Sequence, residues 1–170
     1  MEITILPSSD LSPAQRQDIW DWLWQVFGAE AQAYTWSEPD WHVMGYEDGQ
    51  PVCHIDITER TAMVGGQPVR LGGIGGVMTI PEYRGRGLAS TALQRVAAFL
   101  HDPLVVEFGL LTCDTAMAPF YHRLGWQIVE APLVYDQPGG KMDLDGAVMI
   151  LPCRERAWPP GPIDLCGFPW

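Results

Sequence analysis

The stretch from Gly72 to Leu100, GGIGGVMTIPEYRGRGLASTALQRVAAFL, combines three local patterns that decide the fold. Ile74–Ile80 is apolar and β-branched enough for a buried strand, and Pro81 ends it because proline cannot donate to a sheet ladder. A glycine-rich turn follows, and apolar residues then recur at three-to-four spacing from Leu88, which predicts a helix. The predicted order is therefore strand, turn and helix.

The junction between this turn and the helix has the features of an anion-binding site. The first N–H groups of a helix have no internal partner, and the helix dipole adds partial positive charge there. Arg84 and Arg86 reinforce that charge, while Gly85 and Gly87 let the backbone approach a phosphate closely. A pyrophosphate or a phosphate ester is the predicted ligand.

A lysine P-loop does not fit the turn, because it requires Gly-Lys-Ser/Thr, which this stretch does not contain. Two other interpretations of the turn remain open. A dinucleotide-binding turn requires a third glycine where this chain has Ser90, although Glu107 follows Gly87 at about the 20-residue spacing of a ribose-binding acid. Arg84–Gly87 is also compatible with a charged surface turn.

The stretch resembles the acetyl-CoA-binding motif of the GNAT superfamily of N-acetyltransferases. Its pattern, Arg/Gln-x-x-Gly-x-Gly/Ala, is matched by Arg84, Gly87 and Ala89, and the strand before the loop is matched by Val77–Ile80. The resemblance implies acetyl-CoA as the cosubstrate and no metal. It further implies that acetyl-CoA contacts Val77, Met78, Thr79, Arg84, Gly85, Arg86, Gly87, Leu88, Ala89 and Ser90.

The remaining patterns predict an α+β fold in one domain over residues 1–170, with residues 153–170 as an irregular tail. Strands are predicted at Glu2–Leu6, Trp41–Tyr46, Val52–Arg60, Arg70–Ile80, Leu104–Cys113, Trp126–Ala131 and Ala147–Leu151. Hairpins are predicted at Glu47–Gln50 and around Gly65, and Asp136–Asp145 is predicted to be a polar loop. This order favours a mixed sheet with helices on both faces. The GNAT resemblance adds a mostly antiparallel central sheet with a splayed parallel strand pair, Ile74–Ile80 and Leu104–Cys113.

A helix is expected to begin at Ser12-Pro13, which are suited to its cap and first turn. Its apolar residues share one face: Ile19, Trp20, Leu23, Trp24 and Phe27. We interpret the two tryptophans as core residues rather than part of a site. His54 lies in an apolar strand and is interpreted as a hydrogen-bonded core histidine.

The segment Ala118–Trp126 also resembles the superfamily, in which a short helix carries a tyrosine and ends at Gly-Trp or Gly-Phe. The resemblance implies that Tyr121 is the general acid that protonates the leaving thiolate. A core role with its hydroxyl at the rim is the alternative for Tyr121. The resemblance also implies that backbone N–H groups of Val77–Thr79 hold the oxyanion.

The general base is left among three acids, Asp56, Asp114 and Glu107. Asp114 is the best placed of them, because it stands at the end of a strand just before the motif helix. It is equally suited to be the N-cap of that helix.

Charge and composition exclude some classes of function. The formal net charge is −11, which argues against a nucleic-acid partner and is compatible with a polycationic substrate or with ordinary solubility. No apolar run reaches the ~20 residues of a membrane span, and MEITILPSSD has no basic n-region, so we expect a cytoplasmic protein without a membrane partner.

The cysteines lack C-x-x-C spacing, so no metal site is predicted. The oligomeric state is not fixed by the sequence, and a homodimer is compatible with it.

Four stretches resemble the aminoglycoside 2′-N-acetyltransferases, an antibiotic-resistance branch of the superfamily: Arg16–Ile19, Asp40-Trp41, Leu144–Pro152 and the tail with Asp164–Cys166 and Trp170. The resemblance implies a small cationic amine as substrate. It also implies an acidic pocket that contains Asp40, Trp41, Asp145 and Trp170 with its carboxylate.

Two departures from that branch leave other functions open. Gly75 stands where the branch has a glutamate, and Phe168 stands where its tail has an aspartate. The alternatives are acetylation of another small amine or of a peptide N-terminus, and a domain that senses acetyl-CoA without turnover.

Overall fold

The computed structural model describes residues 1–170, except for the side chains of residues 29 and 30. Its ten strands are β1 (Glu2–Pro7), β2 (Trp41–Glu47), β3 (Gln50–Val64), β4 (Gln67–Thr79), β5 (Phe108–Cys113), β6 (Gln127–Val129), β7 (Leu133–Gln137), β8 (Gly140–Asp143), β9 (Ala147–Pro152) and β10 (Ile163–Asp164). The α-helices are α1 (Pro13–Phe27), α2 (Leu88–His101) and α3 (Ala118–His122).

All ten strands belong to one mixed sheet, as the sequence predicted. The order along the main path is β6-β9-β5-β4-β3-β10-β7-β8, and β2 pairs with both β1 and β3. Only the β4–β5 and β7–β10 pairs are parallel. The observed architecture is thus the mostly antiparallel GNAT-type sheet that the resemblance implied.

The two parallel strands β4 and β5 diverge part of the way along their length. Their pairing runs from Leu71 with Phe108 to Ile74 with Leu111 and stops there, although both strands continue. On the other side of β4, the register with β3 shifts between His54 and Asp56. Opposite this shift, Gly76 has a φ of +54°, a conformation that favours glycine. The expected splayed pair is therefore present, and an irregular segment of β4 forms one of its walls.

The helices α1 and α2 lie on opposite faces of the sheet. Helix α2 packs in a cluster with Val43, whereas α1 packs in a cluster with the next residue, Met44. Successive strand residues point to opposite faces, so the two helices sandwich the sheet. None of the described helices is long and apolar enough to cross a membrane.

Three predicted element bounds need correction. The polar segment Asp136–Asp145 is not a loop, because much of it forms the β7–β8 hairpin. The tail contributes β10, which pairs with both β3 and β7. Residues 104–107 precede the strand rather than belonging to it, although Leu104 and Val106 are buried. Burial without a ladder explains why these apolar residues resembled a strand.

Candidate active site

A cavity of about 490 Å³ opens where β4 and β5 diverge. Its walls come from both diverging strands, β3, α1, α3, the segment after α1 and the tail. The lining residues are Trp20, Leu23, Trp24, Phe27, Ala31, Trp36, Ser37, Pro39, Asp56, Thr58, Ile74, Gly75, Gly76, Val77, Thr112, Cys113, Asp114, Met117, Tyr121 and Trp170.

The aromatic side of the cavity comes from α1. Ser12 and Gln15 form a reciprocal capping box that fixes the start of this helix, as the Ser12-Pro13 pattern predicted. Trp20 and Trp24 stack with ring centroids 5.1 Å apart and are only half-buried. Trp20 packs against the buried cluster of α1, as predicted for a core residue, but both tryptophans also line the cavity. Periodicity identified one apolar face but not what that face covers.

Tyr121 lies in the cavity wall with 7% of its surface exposed. Burial, with a smaller contribution from the neighbouring Cys113 thiol, raises the pKa of Tyr121 to about 12. Its ring makes edge contacts with Phe120 and Trp126. The phenol is therefore protonated at neutral pH.

The three acids that sequence analysis left as candidate bases occupy different places. Asp114 lines the cavity, and its Oδ1 accepts the Ala116 N–H at 2.8 Å, so it also caps the turn Thr115–Met117. Glu107 does not line the cavity, since it accepts the Arg70 N–H at 2.8 Å and pairs with Arg156. Asp56 lines the cavity and is 8% exposed.

Asp56 belongs to a buried cluster with two histidines. Its Oδ1 lies 3.0 Å from His42 Nδ1 and 3.1 Å from His54 Nε2, and these two nitrogens are 3.1 Å apart. The other ring nitrogen of His54, Nδ1, lies 3.2 Å from the Gly76 carbonyl oxygen and so donates to it. Burial opposes ionisation of Asp56, but the histidines hold the pKa of its carboxyl well below its usual range. The apolar strand pattern predicted the bonded His54, whereas no motif marked His42, which faces Asp56 across the β2–β3 pair.

The N-terminus of α2 keeps the open geometry expected of an anion site. Gly87 caps the helix with a φ of +77° and no side-chain hydrogen bond, and Gly85 has a φ of +75°. A methyl group at either glycine would meet nothing within 4 Å, so space for a ligand surrounds this turn. Arg84 Nε donates to the Thr79 carbonyl at 3.0 Å, and Arg86 stacks on Tyr83 with its guanidinium 4.8 Å from the ring centroid. The residues predicted to contact the cofactor, Val77–Thr79 and Arg84–Ser90, therefore lie at the end of the strand, in the turn and at the start of the helix. This arrangement fits an extended phosphorylated ligand.

Of the four residues expected in an acidic acceptor pocket, only Trp170 lines the cavity. Asp40 accepts the Glu59 N–H at 2.7 Å, and Trp41 packs edge-on against Phe99 with centroids 5.0 Å apart. Asp145 is exposed and outside the cavity lining. The expectation of an acidic pocket is therefore wrong. Asp40 is bonded to the backbone of β3 and Asp145 lies after the β7–β8 hairpin, so the two aspartates do not meet in the cavity.

The indole of Trp170 occupies space left by glycines of β4. A Cβ at Gly73 would lie 2.2 Å from Trp170 Cε2, and a Cβ at Gly75 would lie 2.6 Å from the main-chain carbonyl carbon of Trp170. Ser37 secures the tail by donating its N–H to the Pro169 carbonyl at 2.8 Å, and the Arg60 guanidinium lies 5.2 Å from the Trp170 ring centroid. Gly75, where the aminoglycoside branch has a glutamate, therefore makes room for the tail.

Comparisons with known proteins agree with this geometry. A family model described as an acetyltransferase (GNAT) domain matches residues 10–129, more than half of the chain. The fold is similar to Escherichia coli YhbS, a GNAT family N-acetyltransferase solved in complex with CoA, with a TM-score of 0.64 and 15% identity over 97% of this chain and 89% of that one. It is also similar to Escherichia coli ElaA (TM-score 0.62, 18% identity, 88% and 98% covered) and to an acyl-CoA N-acyltransferase from Pseudomonas aeruginosa (TM-score 0.62, 16% identity, 88% and 98% covered). The chain therefore belongs to the GNAT acetyltransferases, which use acetyl-CoA as acetyl donor.

Proposed function

We propose that this acetyltransferase domain transfers acetyl directly from acetyl-CoA to a primary amine of a small cationic molecule. The first candidate acceptor is an aminoglycoside 2′-amine. The observation that carries the proposal is the chemistry of the cavity. Among the described lining residues the only charged side chains are two carboxylates, Asp56 and Asp114, and most of the remaining wall is aromatic or aliphatic. Carboxylates bind ammonium groups by charge-assisted hydrogen bonds, and aromatic faces attract cations.

Each end of the acetyl donor has a suitable partner in this chain. Backbone N–H groups at the start of α2, with Arg84 and Arg86, suit the pyrophosphate. The edge of β4 beyond Ile74 is free of β5. Val77, and Thr79 apart from the carbonyl that Arg84 bonds, are therefore available to bond the pantetheine arm as a further strand would. When bound, acetyl-CoA supplies the thioester carbonyl that an amine attacks and the sulfur that leaves.

The catalytic groups of the chain then have complementary tasks. An ammonium must lose a proton before it can attack, and Asp114 is the proposed acceptor of that proton, directly or through water. The neutral amine forms the C–N bond as the C–S bond breaks. Tyr121 donates its proton to the departing sulfur, and the proton that the amine nitrogen loses on becoming an amide restores the phenol. The net products are the amide, the thiol and one released proton.

The aminoglycoside assignment draws support from the tail resemblance and from the place of Trp170 in the cavity wall. Asp40 and Asp145 lie outside the cavity lining, which favours a broader class of acceptors that includes other small amines and peptide N-termini. A GNAT domain that senses acetyl-CoA without turnover is the competing class of function.

The test is acetyl-CoA-dependent thiol release with two matched aminoglycosides, one with a 2′-amine and one with a 2′-hydroxyl. Turnover of the amine compound alone is the expected result. Equal turnover of both would place transfer at another amine. Absence of turnover with a panel of small amines, while acetyl-CoA still binds, would favour the sensor.

A further inference from the structure

One side of the cavity is an aromatic wall, formed by Trp20, Trp24, Phe27 and Trp36. Much of its surface is not covered by the protein. Trp24 and Trp36 pack against none of the buried core clusters in the part of the chain that the structure describes, and Phe27 is 48% exposed. Apolar surface left open in a concave site is unfavourable in water, so this wall indicates a ligand with an apolar body.

The aromatic wall presents ring faces rather than polar groups. Trp20 and Trp24 lie one turn apart on α1 and stack with ring centroids 5.1 Å apart and an interplanar angle of 21°. Trp36 Nε1 donates to the Ala31 carbonyl at 2.7 Å, so the one polar group of this side chain is already paired. Aromatic rings stack or meet edge to face at centroid separations of about 4.5–7 Å, so a ring of the ligand suits this surface better than an aliphatic chain does.

The polar groups of the lining are few, and several are engaged within the protein. Asp56 lies against two histidines, Ser37 Oγ donates to the Phe168 carbonyl at 2.8 Å, and Thr58 Oγ1 is buried. Asp114 is exposed, and only its Oδ1 is used, as the cap of the turn that follows. A ligand rich in hydroxyls would bury some of them here without partners, which is unfavourable, whereas a ring with a single amine would not.

Resting on the proposed function, we propose that the acceptor is an arylalkylamine, a primary amine joined to an aromatic ring by a short alkyl chain. The ring binds against the aromatic wall, and the amine lies toward Asp114 and Tyr121 in the same cavity. The cavity of about 490 Å³ falls within the range of about 300–1,000 Å³ that is usual for small-molecule sites. This inference places aromatic amines ahead of hydroxyl-rich aminoglycosides among the acceptors.

Binding tests the aromatic wall without depending on turnover. Phenethylamine, 2-cyclohexylethylamine and butylamine carry the same ammonium group, but only the first carries an aromatic ring. Each is titrated by calorimetry into the full chain saturated with CoA. Phenethylamine is expected to bind about 10-fold more tightly than butylamine and about 3-fold more tightly than the cyclohexyl compound, because stacking adds to the burial of the ring. Binding of phenethylamine no tighter than that of the other two would overturn the inference.

Variants of α1 locate the ring. Trp24→Leu is expected to weaken phenethylamine binding by about 3- to 10-fold and to leave butylamine binding within about 2-fold. Phe27→Leu is a second cavity variant with a smaller expected loss, and its exposed side chain makes it safe for the fold. Trp22→Leu is the matched control, since it is the same substitution on the same helix but outside the cavity lining. Equal losses in Trp24→Leu and Trp22→Leu, or no loss in either cavity variant, would contradict a ring bound at this wall.

Turnover separates failure of this inference from failure of the proposed function. Thiol release is compared for phenethylamine, butylamine and an aminoglycoside with a 2′-amine, and phenethylamine is expected to have the highest kcat/KM. Acetylation of the aminoglycoside or of butylamine with an equal or higher kcat/KM would overturn the aromatic acceptor and leave the proposed function standing. Binding of phenethylamine that depends on Trp24, without acetylation of any amine, would instead sink the proposed function and support the ring site.

Discussion

Replacing Gly73 by alanine tests whether Trp170 is held in the cavity wall by the glycines of β4. The added Cβ would lie 2.2, 2.3 and 2.6 Å from three indole carbons, whereas non-bonded carbons settle at about 3.5–4.0 Å. The backbone of β4 is fixed there by its pairing with β3 and β5, so the ring must move by more than about 1 Å.

The magnitude follows from the burial of the ring. Full burial of a large apolar side chain is worth about 1.5–3 kcal/mol, and Trp170 is half-buried, so its displacement costs about 1–2 kcal/mol. Replacing glycine by alanine within a strand stabilises the fold by about 0.5–1 kcal/mol, which offsets part of this cost. The net loss is about 1 kcal/mol, or about 2–4 °C in Tm for a chain of this length.

The assay is a double-mutant cycle with Trp170→Ala, followed by chemical unfolding. In the Trp170→Ala background the clash is absent, so Gly73→Ala should be neutral or slightly stabilising, and the coupling free energy should be about 1–2 kcal/mol. Gly139→Ala is the matched control, because its Cβ would meet nothing within 4 Å. Equal effects of Gly73→Ala in both backgrounds would refute the reasoning, since the cost would not then come from Trp170.

Four further predictions concern separate features. Ser12→Ala removes the capping box of α1 and should lower the free energy of unfolding by about 1 kcal/mol in urea titrations, whereas retention of full stability would contradict the cap. Burial raises the pKa of Tyr121 to about 12 from about 10 in the unfolded chain, so its contribution to the free energy of unfolding should be complete below pH ~10 and be lost as pH rises through 12. Alkaline unfolding curves of Tyr121→Phe should lack this loss. Arg86→Ala should weaken CoA binding by about 5-fold and reduce its salt dependence in calorimetry, because the guanidinium flanks the proposed pyrophosphate site. Lys141→Met should leave the Tm nearly unchanged in thermal unfolding, since its contacts with two aspartates are solvent-exposed, and a clear fall in Tm would contradict this.

Local signals predicted the strand, turn and helix of the proposed cofactor site well. The strand that ends before Pro81, the turn with positive-φ glycines and the helix from Leu88 all occur as the sequence indicated. The helix start at Ser12-Pro13 was also expected, and the GNAT resemblance implied the divergence of β4 from β5. Each depends on residues close together in the chain or on a motif with a fixed spacing.

The acceptor side was predicted poorly, because it depends on long-range placement. The segment Asp136–Asp145 was predicted to be a polar loop, since all four side chains of β8 are exposed and no apolar alternation marks that strand. Its Gln137 nonetheless bonds the Thr35 backbone in both directions and so holds the segment after α1, which lines the cavity. His42 carries no motif and becomes noticeable only when the β2–β3 register places it opposite Asp56. The expectation that Asp40 and Asp145 share a pocket came from the resemblance to the aminoglycoside branch, which says nothing about where this chain's own strands place the two residues.

The most direct test of the account is a comparison of Tyr121→Phe with the wild type, in which CoA affinity is measured by calorimetry and acetyl transfer by thiol release. Loss of the phenol should reduce kcat by about 100-fold or more, as expected for a general acid, and leave CoA affinity unchanged. Turnover within a few-fold of the wild type, or a parallel loss of CoA affinity and of stability, would contradict the role of Tyr121 as the proton donor in this cavity.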